Sequence, residues 1–413
     1  MLVANPNAQR RDYDAALRPI LNIAQGRESA RWLSHWDLLA PGPTPLWPLP
    51  HLAAGLGLGH VGIKDESKRS TLGSFKALGA PIALLRLILR RWPDRRYLPQ
   101  DLLAGRHAAA LVDLVVISAT DGNHGRALAA AARSVGCRCV IVLHAHVSAE
   151  RETPIAALGA DIVRVAGDYD ASVQEAARLA RVNGWQVVSD TSYEGYDEIP
   201  RDVMQGYGAI VDELLEDVPV GAPCPFTHVI LQGGVGGLAA GVVSHLWERH
   251  GTQRPRFIVV EPEQADCLLQ SARRGHAARA GGSVDSVMAG LACGETSPLA
   301  WRFLQPTVDF FMTVTDAQAE RAMRTLAAGE HGDVPVLSGE SGAAGLAALA
   351  SLAGDPRQCV QVDLDAQSRV LLLNTEGATA PGLYASLVGR TPDAVLDAQA
   401  RWLTRQDAAT HSS

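Results

Sequence analysis

Lys76, a lysine with apolar neighbours, is a candidate for covalent chemistry. Lys76 follows Phe75 in KDESKRSTLGSFKALGA, residues 64–80, and opens a run of helix-forming residues. A lysine that forms a Schiff base needs a packed, partly desolvated site that lowers its pKa. An isolated lysine at a helix start is more often a solvated surface charge, so the interpretation of Lys76 depends on its companion segments.

A second segment, SATDGNHGR at residues 118–126, lies between the apolar run DLVVIS and the helical run RALAAAARSVG. A turn from a strand into a helix offers free backbone N–H groups and a favourable dipole to an anion such as a carboxylate. The alternative is an N-capped turn in which Asp121 and Asn123 only satisfy backbone donors. His124, taken alone, is typical of a structural histidine that forms hydrogen bonds.

The third segment, LQGGVGGLAAG at residues 231–241, is another turn from a strand into a helix. Its backbone amides can approach a phosphate closely because glycines surround Val235, namely Gly233, Gly234, Gly236 and Gly237. The segment is not a P-loop, and Ala239 replaces the last glycine of a dinucleotide-binding GxGxxG. Tight helix packing and a nucleotide-dependent oxidoreductase are the alternative interpretations.

The elements that position these segments alternate between apolar runs and Ala-rich helical stretches, which is typical of βαβ units. One series contains DLVVIS, CRCVIVLHA, ADIVRVAG and WQVVSD, and a second contains THVILQ, RFIVVEPE and RVLLLNTEG. Because these runs are apolar throughout, they favour parallel strands that are buried on both faces. We therefore expect an α/β fold with two lobes, each built on a mostly parallel sheet flanked by helices. Residues 1–84 and 224–413 are predicted to form a large cofactor-binding domain, and residues 85–223 a small substrate-side domain.

Composition narrows the class of protein and its partners. The chain has 413 residues, and 47% of them are hydrophobic, which predicts a folded protein. Its net charge of −7 indicates that it has no broad basic surface for nucleic acid. The apolar stretch around residues 81–89 is too short and too interrupted by arginine to span a membrane, and we expect a cytoplasmic location. The cysteines have neither CxxC nor Cys/His zinc spacing, so we expect thiols and no metal site.

In combination and in this order, the three segments resemble those of the tryptophan-synthase-β-like family of pyridoxal-phosphate (PLP) enzymes, also called fold type II. The resemblance implies that Lys76 binds PLP covalently, with Phe75 beside it, and that the active site lies between the two lobes. It also implies that Asn123 contacts the 3′-oxygen of the ring. The loop from Gly233 to Gly237 would bind the phosphate, and Thr375 in LLLNTEG would face the pyridine nitrogen.

A closer resemblance, to the diaminopropionate ammonia-lyase family, extends from about Leu46 to Pro381 and rests on many short segments. These are KDESKR, SFKALG, ATDGNHGR, DTSYEGY, MQGY, EPEQADC, AGLACG and SGESGAAGL. The implied reaction is α,β-elimination from 2,3-diaminopropionate, which gives pyruvate and ammonia, and the implied assembly is a homodimer. Ser70, Thr71, Ala130 and Tyr193 depart from the family pattern, so a threonine, serine or 3-hydroxyaspartate dehydratase stays an alternative. A PLP-binding protein without turnover is a further one.

The resemblance assigns catalytic roles to three residues. Lys76 would take the Cα proton from one face of the substrate, and Asp121 on the opposite face would serve the other enantiomer. Asp190, at the end of the run WQVVSD, would attract the distal ammonium or protonate the leaving amine; a turn aspartate is the alternative.

Other residues are expected to surround these three. Thr120 and the amides that follow it would bind the substrate carboxylate. Glu340 would either lie near the ring or simply begin a helix. Cys267 and Cys293 lie in motifs that could approach one another, and paired thiols are expected less than separate buried ones.

Overall fold

The strands form two sheets in the part of the chain that the computed structural model describes, residues 1–120, 122–145, 147–167 and 169–410. They are β1 Leu2–Ala4, β2 Leu46–Pro48, β3 His60–Asp65, β4 Val115–Ala119, β5 Arg138–His144, β6 Asp161–Val165, β7 Gln186–Val187, β8 His228–Gln232, β9 Arg256–Pro262, β10 Phe310–Val314 and β11 Arg369–Asn374. The larger sheet has the order β1-β10-β9-β8-β11-β3-β2, and the smaller has the order β6-β5-β4-β7.

Helices separate most of these strands. They are α1 Ile23–Leu33, α2 Pro50–Gly55, α3 Ala80–Arg91, α4 Pro99–Leu103, α5 Ala108–Leu111, α6 Asn123–Val135, α7 Ala149–Ala156, α8 Tyr169–Asn183, α9 Glu198–Leu214, α10 Gly237–His250, α11 Cys267–Arg274, α12 Pro298–Thr307, α13 Asp316–Ala328, α14 Ala344–Ala353, α15 Pro356–Val362, α16 Pro381–Val388 and α17 Pro392–Thr410. None of the described helices is both long enough and apolar enough to cross a bilayer.

Both sheets have the parallel pairing that the apolar runs predict. In the larger sheet, β10, β9, β8, β11 and β3 are parallel, while β1 and β2 are antiparallel edge strands. All pairings in the smaller sheet are parallel. The α/β fold with two sheets flanked by helices is therefore confirmed.

The central strands of the larger sheet are buried on both faces, and alternate residues enter different cores. Val229 and Leu231 pack in the core that contains α9 and α10, whereas Ile230 and Leu372 pack in the core that contains α13 and α14. This arrangement explains why the strands read as continuous apolar runs instead of alternating ones.

The domain boundaries stay a prediction. All strands of the smaller sheet lie within residues 85–223, and those of the larger sheet lie outside that range. Helix α9 belongs to the predicted small domain by sequence, yet it packs against α1 and α10 beside the larger sheet.

Candidate active site

A cavity of about 730 Å³ lies where strands of both sheets reach their carboxyl ends. Open α/β sheets bind their ligands at this edge, because the loops that leave the strands meet there. Most of the residues that the sequence singles out border this cavity: Phe75, Lys76, Thr120, Asn123, Asp190, Gly233, Gly234, Val235, Gly237 and Thr375. Gly236 does not border it, and Asp121 lies outside the described residues.

Lys76 and Asp190 form an ion pair inside the cavity. The Lys76 Nζ atom donates a hydrogen bond of 2.5 Å to Asp190 Oδ2, and only 20% and 18% of the two side chains are exposed. Burial lowers the pKa of the Lys76 ammonium, but the Asp190 carboxylate outweighs it and the pKa lies above its usual value. The lowered lysine pKa expected from the sequence is therefore wrong, because that expectation did not include the partner carboxylate.

The same ion pair determines the charge of Asp190. Burial raises the pKa of this carboxyl. Lys76 and, to a smaller extent, His124 lower it by more than burial raises it, so the net pKa is below the usual range. Asp190 follows β7 by three residues, and the loop that carries it also lines the cavity. It is therefore a carboxylate that lines the cavity and pairs with Lys76.

His124 lies behind Asp190, in the first turn of α6. Its Nε2 atom is 2.8 Å from the Val188 carbonyl oxygen, which can only accept, so Nε2 carries a hydrogen and donates. Its Nδ1 atom is 3.8 Å from Asp190 Oδ2. Burial lowers the pKa of the ring, Asp190 opposes this effect and Lys76 adds to it, so the net pKa is below its usual value. The expected structural hydrogen bond is present, and the second nitrogen faces the site.

Tyr207, to which the sequence patterns gave no role, borders the cavity beside the lysine. Its ring packs against Phe75 with centroids 4.8 Å apart, and Lys76 Nζ lies 5.1 Å from the Phe75 centroid. Burial raises the pKa of Tyr207 well above its usual value. The motif MQGY contains this residue, but nothing in its spacing distinguishes Tyr207 from the other buried residues of α9.

The glycine-rich turn between β8 and α10 has the geometry of an anion site. Gly234 has φ +61° and Gly236 has φ +101°, conformations that L side chains rarely adopt. A Cβ atom on Gly233 would lie 2.7 Å from Glu261 Cγ. Helix α10 begins at Gly237 without a side-chain cap, so its first-turn N–H groups can bind a phosphate.

Asn123 joins the two sheets across the cavity. Its side-chain amide donates a hydrogen bond to the Glu376 carboxylate, which also accepts from the Ser341 N–H at 3.2 Å. Thr375, which precedes Glu376, is buried, and its carbonyl accepts from the Phe75 N–H at 3.0 Å. Glu376 borders the cavity, although the sequence patterns gave a role only to Thr375 in the motif NTEG.

Glu340 lies one layer behind the cavity wall. Its carboxylate is 2.7 Å from Arg151 Nη2, and Arg151 itself borders the cavity. Burial, together with the nearby Glu376 carboxylate, raises the pKa of Glu340 to about 7 although Arg151 opposes the change.

The two cysteines expected near the site are present as thiols. Cys267 is buried, and its Sγ atom is 3.4 Å from the Gly234 carbonyl oxygen, while Cys293 borders the cavity. In the described part of the chain, no cluster of three or more His, Cys, Asp and Glu side chains is placed to hold a metal ion.

These features fit pyridoxal phosphate. The Lys76 amine could bind its aldehyde, and the glycine-rich N-terminus of α10, which has no side-chain cap, could bind its phosphate. Both lie in the same cavity. The chain belongs to the family of pyridoxal-phosphate dependent enzymes, whose model matches residues 38–376. Within this family it belongs with the diaminopropionate ammonia-lyases.

Two bacterial relatives and one crystal structure carry this assignment. The chain is 35% identical to diaminopropionate ammonia-lyase of Escherichia coli K12, over 94% of this chain and 97% of the relative. It is 37% identical to the Salmonella typhimurium LT2 enzyme, over 92% and 96% respectively. The structure of the E. coli enzyme in complex with an aminoacrylate-PLP azomethine reaction intermediate superposes with a TM-score of 0.82 at 33% identity, covering 94% of this chain and 96% of that chain.

Proposed function

We propose that the protein removes ammonia from 2,3-diaminopropionate by α,β-elimination and releases pyruvate and a second ammonia after hydrolysis. The observation that carries the proposal is the Lys76–Asp190 pair, which places an amine and a carboxylate 2.5 Å apart beside a glycine-rich helix start. Diaminopropionate is what the E. coli and Salmonella relatives are named for. The balance is one substrate and one water to one pyruvate and two ammonia.

Pyridoxal phosphate, when bound, supplies an electron sink for the negative charge that develops at Cα. The protein holds it and orients the substrate. The amides of the turn Gly233–Gly237 and of the first turn of α10 would hold the phosphate, and Lys76 would hold the aldehyde carbon. Asn123 and Thr375 would face the ring from opposite sheets, since one begins α6 and the other follows β11.

Proton transfer is the task of the polar side chains. Lys76, as a neutral amine, would take the Cα proton. Asp190 would attract the distal ammonium of the substrate, because its carboxylate already pairs with the Lys76 ammonium in this cavity. Thr120 and the following amides would bind the substrate carboxylate; the Thr120 hydroxyl oxygen already accepts from the Gly122 N–H at 3.2 Å. The base for the opposite enantiomer is proposed to be Asp121.

The charge of Asp190 favours this substrate over a hydroxy amino acid. A hydroxyl group leaves only when an acid protonates it, whereas a distal ammonium already carries the proton with which it departs. An ionised Asp190 can attract that ammonium but has no proton of its own to give to a hydroxyl group. A serine, threonine or 3-hydroxyaspartate dehydratase is therefore the second candidate.

A cellular location and an assembly are part of the proposal. The six thiols fit a reducing compartment and thus a cytoplasmic location. A homodimer is proposed from the family resemblance alone.

A panel of small amino acids, offered as separate enantiomers and coupled to pyruvate detection, tests the proposal. We expect D- or L-2,3-diaminopropionate, or both, to give pyruvate faster than serine, threonine or 3-hydroxyaspartate at equal concentration. The matched control is Lys76→Ala, which should release no pyruvate. Faster turnover of a hydroxy amino acid would replace the proposal with the dehydratase.

A further inference from the structure

The described active site contains one buried basic nitrogen that the proposed reaction does not use. His124 is only 4% exposed, and its Nε2 hydrogen is committed to the Val188 carbonyl at 2.8 Å. In a neutral ring, Nδ1 must then carry a lone pair instead of a hydrogen. This atom has no hydrogen-bond partner among the described residues, and it faces Asp190 Oδ2 at 3.8 Å.

Asp190 Oδ2 therefore lies between two nitrogens. Lys76 Nζ donates to it from one side at 2.5 Å, and His124 Nδ1 faces the same oxygen from the other side. The Asp190 oxygen and the unprotonated His124 nitrogen are both hydrogen-bond acceptors, so neither can donate to the other. A proton placed between them would form a hydrogen bond that joins the two atoms. A proton supplied by Lys76 would satisfy both.

We propose that Asp190 and His124 form a proton store for Lys76: the pair takes the proton that the lysine must shed before it can act as a base. This inference deepens the proposed function and rests on it. In the step, an Nζ–H bond of the ammonium breaks and its electron pair stays on Nζ. An Oδ2–H bond forms and breaks in transit, and an Nδ1–H bond forms on the histidine. The stored proton returns along the same atoms after Lys76 has released the Cα proton.

The charges around the ring agree with this direction of transfer. Burial lowers the pKa of His124 most, Asp190 raises it, Lys76 lowers it, and the hydrogen bond to the Val188 carbonyl raises it. Tyr207 and Cys293 raise the pKa of Lys76 and are not among the causes of the His124 shift. When Lys76 becomes a neutral amine, its lowering effect on the histidine disappears and the attraction of Asp190 remains. The ring then binds a proton more tightly at the moment when one becomes available.

Nitrogen NMR of ¹⁵N-histidine-labelled, cofactor-free protein tests the store without any turnover. The His124 signal is assigned by its absence in His124→Gln. In the wild type at pH 7 we expect Nδ1 to be unprotonated. Lys76→Met removes the ammonium and should raise the pKa of His124 by about 1 or more, whereas the matched Lys76→Arg keeps the charge and should leave it near the wild-type value. An unchanged pKa in Lys76→Met, or a hydrogen on Nδ1 and none on Nε2 in the wild type, would overturn the proposal.

A pair of histidine variants separates proton storage from packing. A glutamine side chain would place an amide N–H near the position of Nε2, so His124→Gln can keep the bond to Val188 while it removes the basic nitrogen. We expect kcat on diaminopropionate to fall about 100-fold in this variant, with KM, cofactor affinity and melting temperature near those of the wild type. His124→Asn, which lacks the Val188 bond, should lose stability as well. A kcat in His124→Gln equal to that of the wild type across the pH range would contradict the proton store. If the wild type is inactive on diaminopropionate but Lys76→Met still raises the pKa of His124 as expected, only the proposed function is contradicted.

Discussion

Arg151 and Glu340 form a 2.7 Å ion pair between α7, beside the smaller sheet, and the segment that precedes α14, on the larger one. Only 2% of the Glu340 side chain is exposed, and its pKa is raised from 4.5 to about 7 by burial and by Glu376. A contact that joins the two sheets thus contains a carboxyl that titrates near neutral pH.

This titration predicts a pH-dependent stability. A carboxyl whose pKa is higher in the folded state binds more protons there, so the free energy of unfolding falls as pH rises from about 4.5 to 7. For Glu340 the loss is roughly 3 kcal/mol. Glu340→Gln cannot titrate, so the difference in unfolding free energy between wild type and variant should change by that amount over this interval and be constant outside it. Urea unfolding at a series of pH values measures the difference, and a constant difference throughout would refute the assignment.

Gly236 is expected to control cofactor affinity through the loop conformation alone. It does not border the cavity, but its φ of +101° is strained for any L side chain, and a Cβ atom would lie 3.0 Å from Leu304 Cδ1. Gly236→Ala should therefore weaken PLP binding about tenfold or more, because a cost of about 1–2 kcal/mol falls on the phosphate turn. Gly221→Ala is the matched control, since its φ is +84° and nothing lies within 4 Å. Equal PLP affinity in the two variants, measured by fluorescence titration, would exclude a role for the turn.

Asp190→Asn should lower the pKa of Lys76. Once the carboxylate is removed, only Tyr207 and Cys293 oppose the effect of burial on the ammonium, and a buried lysine has a pKa below its usual value. Because only the neutral amine attacks the cofactor aldehyde, the rate of cofactor attachment should rise with pH at lower values than in the wild type. Stopped-flow absorbance after mixing cofactor-free protein with PLP measures the profile. Coincident profiles would show that the ion pair does not govern the lysine.

Asp121→Asn tests the base proposed from sequence. If Asp121 serves one face of the substrate and Lys76 the other, turnover of one diaminopropionate enantiomer should fall by about 100-fold more than that of the other. Separate steady-state assays with each enantiomer provide the ratio. An equal loss for both would assign Asp121 to substrate binding instead of proton transfer.

Much of the site could be predicted from the sequence because its parts are local. Lys76, Asn123 and the glycine turn each lie within a few residues of a strand end or a helix start, and parallel strands bring their carboxyl ends to the same edge. The order of the apolar runs similarly predicts two sheets. Asp190 could be predicted as a cavity residue for the same reason, since it closely follows β7.

The remaining features depend on packing between distant segments. Asp190 is 114 residues from Lys76 in the sequence. The direction of the Lys76 pKa shift therefore depends on a contact that no local pattern contains. Tyr207 lies in the middle of α9, where core and cavity residues have the same apolar character. Of the four departures from the family pattern, Tyr193 borders the cavity and Ser70, Thr71 and Ala130 do not.

The covalent link between Lys76 and pyridoxal phosphate is tested most directly by peptide mass spectrometry. The protein is loaded with PLP, reduced with borohydride and digested, and the modified lysine is located by fragmentation. We predict a single phosphopyridoxyl group on Lys76, with loss of the visible cofactor absorbance that Lys76→Ala should also lack. A modification on any other lysine, or none at Lys76, would contradict the account.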